Sequence, residues 1–175
     1  QFSSPLKIKF NDLMPKGWPY LEKFKNWTAN EKKEIEKALN SLPERLRNLG
    51  EIKIYRAKKS VFPDNPTTSG PDESIIVIYD DARAFGYRQA FAHEMSHILF
   101  AKLSREEKEE YYAFSEWDSD HERLINKRKD FSEPDGKLVP EEDFANNIEH
   151  IISKGGAGVN LKISNYLKLL LGLKK

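Results

Sequence analysis

The segment His93-Glu94-Met95-Ser96-His97 constrains this chain more than any other. Two histidines four residues apart share a face only where the backbone is helical, and there both imidazoles can reach one metal ion. In a strand the same pair would stand about 13 Å apart and could not share a ligand. Glu94, about 100° further round such a helix, is placed to take a proton from a water on that ion. Zinc suits imidazole ligands and makes water nucleophilic near neutral pH. The flanks fit a half-buried helix over 87–103: Phe91, Ile98 and Leu99 supply an apolar side, and Ala90 and Ala101 leave room beside the histidines.

The rest of the chain sets bounds. At 175 residues it is long enough for one domain with a sizeable core, and we read 1–175 as a single unit. Its 29 basic and 28 acidic residues nearly cancel, which removes any general electrostatic reason to expect nucleic acid or an anionic membrane as partner. No apolar run is long enough to span a bilayer, so no transmembrane segment is expected. Cysteine is absent, which excludes disulfides, a thiol nucleophile and thiolate metal ligands.

Along the chain, residues 1–27 read as an irregular arm punctuated by Pro5, Pro15, Gly17 and Pro19, with aromatic anchors at Phe10, Trp18 and Tyr20. Thr28 with Glu31 has the spacing of a capping box and opens a helix through Ile35, Leu39, Leu42 and Leu46, with Pro43 as a break or kink. Residues 51–56 alternate like a half-buried strand, 58–73 read as a loop, and 75–79 as a strong β-branched strand. Residues 28–103 thus hold the first helix, the sheet and the motif helix, and 104–175 form a mainly helical half. Ser104 with Glu107 caps a helix carrying Tyr111, Tyr112, Phe114 and Trp117; Pro140 opens another to about Ser153; a last leucine-rich helix covers 160–173 and is expected to pack on the domain. The acidic turn from Asp118 to Glu122 lacks the glycine and spacing of a calcium loop.

Two histidines leave a catalytic metal site one protein ligand short. Glu142 is the best candidate, with Glu141 as the fallback. Ala145, three residues on, permits close helix approach, while Phe144, Ile148 and Ile152 bury a separate stripe and leave Glu142 facing elsewhere. Asn146 and Glu149 lie one and two turns further along and are candidates to hydrogen-bond the histidines' other nitrogens.

The motif His93-Glu94-Met95-Ser96-His97 together with Pro140-Glu141-Glu142-Asp143-Phe144-Ala145 resembles the gluzincin metallopeptidases. It is most similar to the group around the anthrax lethal factor catalytic domain and to bacterial secreted or lipoprotein zinc peptidases with a P-E-E-D-F-A-E signature. The matched segments cover about 91–99 and 131–148. The resemblance implies an α+β, zincin-like fold with a small twisted sheet, one catalytic Zn2+ held by His93, His97 and Glu142, and Glu94 as the base in peptide-bond hydrolysis. It also implies a peptide or protein substrate and a secreted or cell-envelope bacterial protein. Where zincins add the substrate as an extended strand beside the active helix, this chain has 74–79, which points to Ile76, Val77 and Ile78. Tyr111, Tyr112 and His121 are the candidates by type for the oxyanion donor. Two positions depart from the pattern: Asn146 stands where the signature is acidic, and Asp135 where lethal factor relatives have a tyrosine.

An endopeptidase acting as a monomer is the expectation. Its rivals are a cytoplasmic regulatory metalloprotease with one partner substrate, and a degenerate zincin serving as a binding or effector module.

Overall fold

Leu6, Ile8 and Phe10 alternate with Lys7 and Lys9, and this period of two makes β1 (Ser4–Asn11) a strand where an irregular arm was the expectation. The computed structural model describes residues 4–62, 65–70, 74–118, 120, 123–125 and 128–173. Helix α1 (Ala29–Asn40) opens on the capping box of Thr28 and Glu31 that the spacing predicts. It stops short of Pro43, which has no N–H to donate to the preceding turn, and a separate α2 (Glu44–Arg47) follows. Next come β2 (Leu49–Arg56), β3 (Thr67–Gly70), β4 (Ile75–Ile78) and the short α3 (Ala82–Phe85). Gly86, at φ +110°, makes a turn closed to other residues and starts α4 (Tyr87–Lys102), the motif helix.

The helical half begins with α5 (Arg105–Ser115), again opened by a capping box, Ser104 with Glu107. Glu107 also takes two bonds from Arg45, at 2.9 and 3.0 Å, and so ties α5 to α2. A hairpin of β5 (Trp117–Asp118) and β6 (Arg123–Leu124) leads to a 3-10 turn (Pro134–Lys137), then α6 (Pro140–Lys154) and α7 (Leu161–Leu170).

The sheet order is β1-β2-β4-β3, with β1, β2 and β4 parallel and β3 antiparallel at one edge. This is a mixed helix-and-sheet architecture with a small, mainly parallel sheet, compatible with the α+β class expected. The placing of 74–79 at a free edge does not hold. β4 lies between β2 and β3, and the edge is β3, inside a stretch that reads as loop. The physical reason is burial on both faces. Ile76 and Ile78 join Ile52, Ile54, Leu39, Phe91, Met95, Ile98 and Phe144 in the main core. Ile75, Val77 and Tyr79 point the other way, into a smaller cluster covered by Trp18 and Phe24. A continuous β-branched run is what such a strand requires.

The segment that covers this second face is fastened along its length. Lys25 N–H donates to Arg56 O and Lys58 N–H to Lys23 O, both at 2.8 Å, and the Tyr79 hydroxyl donates to Glu22 at 2.9 Å. Among the described residues no helix is long and apolar enough to cross a membrane.

Asp143 fixes where α6 starts. Its carboxylate is fully buried and accepts from Tyr111 (2.9 Å), Trp117 Nε1 (3.0 Å), Asn147 Nδ2 (3.1 Å) and both terminal nitrogens of Arg128 (2.7 and 2.8 Å). Four elements therefore meet on one residue in the first turn of α6. Removing Asp143 would leave the buried Arg128 with the half-exposed Asp130 as its counterion and with its terminal nitrogens stripped of their carboxylate. Asp143→Ala is expected to destabilise the fold by about 3–5 kcal/mol, read from the urea midpoint.

Candidate metal centre

Helix periodicity places Gln89, His93 and His97 on one stripe of α4, at i, i+4 and i+8. It also places Glu142 and Glu149 on one stripe of α6, at i and i+7, with Ala145 between them. The two stripes face each other with the helices running in opposite directions, so Glu149 meets Gln89 and His93 while Glu142 meets His93 and His97. Ala145, fully buried, keeps the contact close.

His93, His97 and Glu142 form a group that could hold a metal ion. The two Nε2 atoms are 3.1 Å apart, and Glu142 places one oxygen 3.5 Å from His93 Nε2 and the other 3.3 Å from His97 Nε2. Three ligands at 2.0–2.1 Å in a tetrahedron would be spaced by about 3.3–3.4 Å. Each of these separations lies near that spacing, with the Glu142 carboxylate straddling the two imidazoles, one oxygen toward each.

The second nitrogen of each histidine explains why Nε2 points inward. His93 Nδ1 lies 3.0 Å from Glu149 Oε2, and His97 Nδ1 lies 2.7 Å from Glu141 Oε1. A carboxylate at Nδ1 holds the proton there, which leaves the Nε2 lone pair free. Gln89 donates to the other oxygen of Glu149 at 2.7 Å and fixes that carboxylate in turn.

The electrostatics follow. Burial alone would lower the pKa of both imidazoles. Glu142 and Glu149 around His93, and Glu141 and Glu142 around His97, outweigh it and hold both above the ordinary value. Burial likewise pushes Glu142 up, yet the two imidazoles hold it well below the usual carboxylate range. The 3.1 Å gap between the Nε2 atoms has room for one proton, so the pair titrates as a unit.

Glu94, on the same helix, is 5% exposed and receives the Thr67 hydroxyl on Oε1 at 2.7 Å. The base candidate of the motif therefore sits between the metal group and the sheet edge.

Other expected site residues lie elsewhere. Glu141 is no alternative ligand but the carboxylate behind His97. Among the described residues Asn146 has no hydrogen bond to His93 or His97; its amide donates to Asp135 Oδ1 at 2.6 Å. The two departures from the gluzincin pattern are thus partners of each other. Tyr111 is buried on Asp143. Tyr112 packs on Phe100 and lines a pocket with Leu103, Arg105, Lys108, Glu109 and Asp120, beyond the C-terminal end of α4. α5 turns its aromatic stripe into the core, which removes both tyrosines from the metal group. Ile76, Val77 and Ile78 are interior to the sheet. His121 lies outside the described residues.

Sequence reasoning passed over Thr67 and Gln89. Gln89 was legible as the i−4 neighbour of His93; Thr67 has no periodic signal and is reached only through the sheet. No family model, curated protein or solved structure matches the chain.

In titrations with Zn2+ against a competing chelator, Glu141→Gln and Glu149→Gln are each expected to weaken binding about 10- to 100-fold, and Glu142→Ala to weaken it more. Because the carboxylates raise the imidazole pKa, acid favours the protonated, metal-free state. Apparent metal affinity is therefore expected to rise with pH and to keep rising above the ordinary imidazole range, with proton release in weakly buffered solution.

Proposed function

We propose that the protein is a zinc-dependent metalloendopeptidase of zincin type. The observation that carries this reading is the pair of histidines whose Nδ1 atoms are both pinned by carboxylates, so that both Nε2 atoms converge with Glu142 on one point while Glu94 stands on the same helix. A site meant only to hold charge would not need the buried carboxylate of Glu94 beside it.

The donor set of two imidazoles and one carboxylate suits zinc, with His93, His97 and Glu142 as its ligands. Bound there, zinc would supply Lewis acidity to the scissile carbonyl and make an attacking water more acidic. Glu94 takes the proton that the water loses on attack and delivers it to the leaving amine nitrogen as the C–N bond breaks. Glu141 and Glu149 keep the histidines oriented through this exchange.

The sheet edge supports a peptide substrate. Among the described residues β3 pairs with β4 alone, so its other side is open to an extended chain. Strand addition engages the backbone of an internal segment and asks nothing of a chain terminus, which matches an endopeptidase.

The test is cleavage of fluorescently labelled casein by the zinc-loaded protein. Glu94→Gln is expected to reduce turnover roughly 10²- to 10⁴-fold while zinc content stays at the wild-type level. Undiminished cleavage by a zinc-loaded Glu94→Gln protein would overturn the mechanism, and a wild type that binds zinc but cleaves nothing would overturn the function.

A further inference from the structure

Glu94 is a buried carboxylate whose hydrogen-bond partner among the described residues is Thr67, through Oγ1 to Oε1 at 2.7 Å. Thr67 is itself 4% exposed. It is the first residue of β3 and sits opposite Ile78 in the antiparallel register. The backbone of β4 on one side and the body of α4 beneath leave its hydroxyl little freedom. A hydroxyl has one proton to give, and here it goes to one oxygen of the base.

From this we infer that Thr67 is a positioning residue for Glu94. Its hydroxyl fixes the carboxylate's rotation, occupies Oε1, and leaves Oε2 as the oxygen that exchanges the proton. The inference rests on the peptidase reading and deepens it. A free carboxylate turns about its last side-chain bond and presents either oxygen. A carboxylate held at one oxygen presents the other in one direction, which is the order a proton transfer needs before it begins. The same bond joins the base to the edge strand on which an extended peptide would be laid. A peptide laid in register on β3 therefore finds the base already set. A hydroxyl hydrogen bond to a buried carboxylate is strong enough to matter for rate, and its loss leaves a buried oxygen without a donor.

Two measurements test it. The first needs no turnover. In protein labelled with 13C-carboxylate glutamate, the infrared difference between wild type and Glu94→Gln isolates the Glu94 band. Thr67→Val, which keeps the β-branched shape and loses the donor, is expected to shift that band, and Thr67→Ser to leave it in place. The second is kinetic, on a single peptide chosen from the casein fragments. Thr67→Val is expected to lower kcat roughly 10- to 100-fold with KM unchanged, and Thr67→Ser to restore it. Zinc affinity should match wild type in both variants, and the thermal midpoint should fall in Thr67→Val and recover in Thr67→Ser. A band that ignores Thr67→Val overturns the inference, as does a shifted band with kcat unchanged. A rise in KM alone would make Thr67 a substrate contact and overturn it too. If no variant or wild type cleaves any peptide, the peptidase reading fails instead, and the infrared band alone decides whether Thr67 holds Glu94.

Discussion

Everything at this site depends on carboxylates that α6 carries up to α4 and that need positive charge there. Glu141, Glu142 and Glu149 each touch an imidazole, and Glu94 adds a fourth negative group on α4 itself. Buried or half-buried carboxylates are costly unless paired. The histidines are the available cations, but their Nε2 atoms are too close for each to carry its own proton. Protons can therefore offset only part of the charge. A divalent ion adds more positive charge in the same space and leaves both Nδ1 protons where Glu141 and Glu149 hold them. The facing helices thus bring together a group of side chains that could hold a metal ion.

What was legible in the sequence was whatever helix periodicity carries. The i and i+4 histidines, and Glu142 with Glu149 at i and i+7, lie on facing stripes because 3.6 residues make a turn. The division of labour between Glu141 and Glu142 was not legible with certainty. The two differ by one step in the first turn of α6, and only the approach of α4 decides which reaches Nε2 and which Nδ1. The sheet was less open to reading. β1 was masked by nearby prolines and glycine although Leu6, Ile8 and Phe10 alternate cleanly. β3, Thr-Thr-Ser-Gly, has no apolar pattern, because an edge strand is held by backbone pairing and not by its own side chains. The apolar strength of β4 suggested importance to the site, but it records burial on two faces.

α6 is a helix with three polar faces, each with its own task. Glu142 and Glu149 face the histidines. Asp143 and Asn147 face inward to Arg128, Tyr111 and Ser132. Asn146 and His150 face the chain before the helix, where they meet Asp135 at 2.6 Å and Glu133 at 2.7 Å. The stretch that leads into the metal-ligand turn is thereby stitched to α6 at Ser132, Glu133 and Asp135. An acid at 146 would face the carboxylate of Asp135 across this contact; the amide donates to it. The pair belongs to the scaffold, and it explains how the chain departs from the gluzincin signature without disturbing the triangle.

Rigid support is what turns these residues from a list into a geometry. Metal ligands held by one bond each would be free to rotate, and a misplacement of about 1 Å is enough to lose much of the benefit of preorganisation. Here every group of the site has a second contact. His93 and His97 are gripped at both nitrogens, Glu149 is gripped by Gln89, and Glu94 is gripped by Thr67. Glu142, the one ligand without a partner beyond the histidines among these bonds, gains its fixity from its neighbour in the chain. Asp143 locks the same helical turn to Arg128, Trp117 and Tyr111, so Glu142 is aimed by a residue that points away from the site. The buried ion pair thus fixes the helical turn from which Glu142 reaches the two histidines.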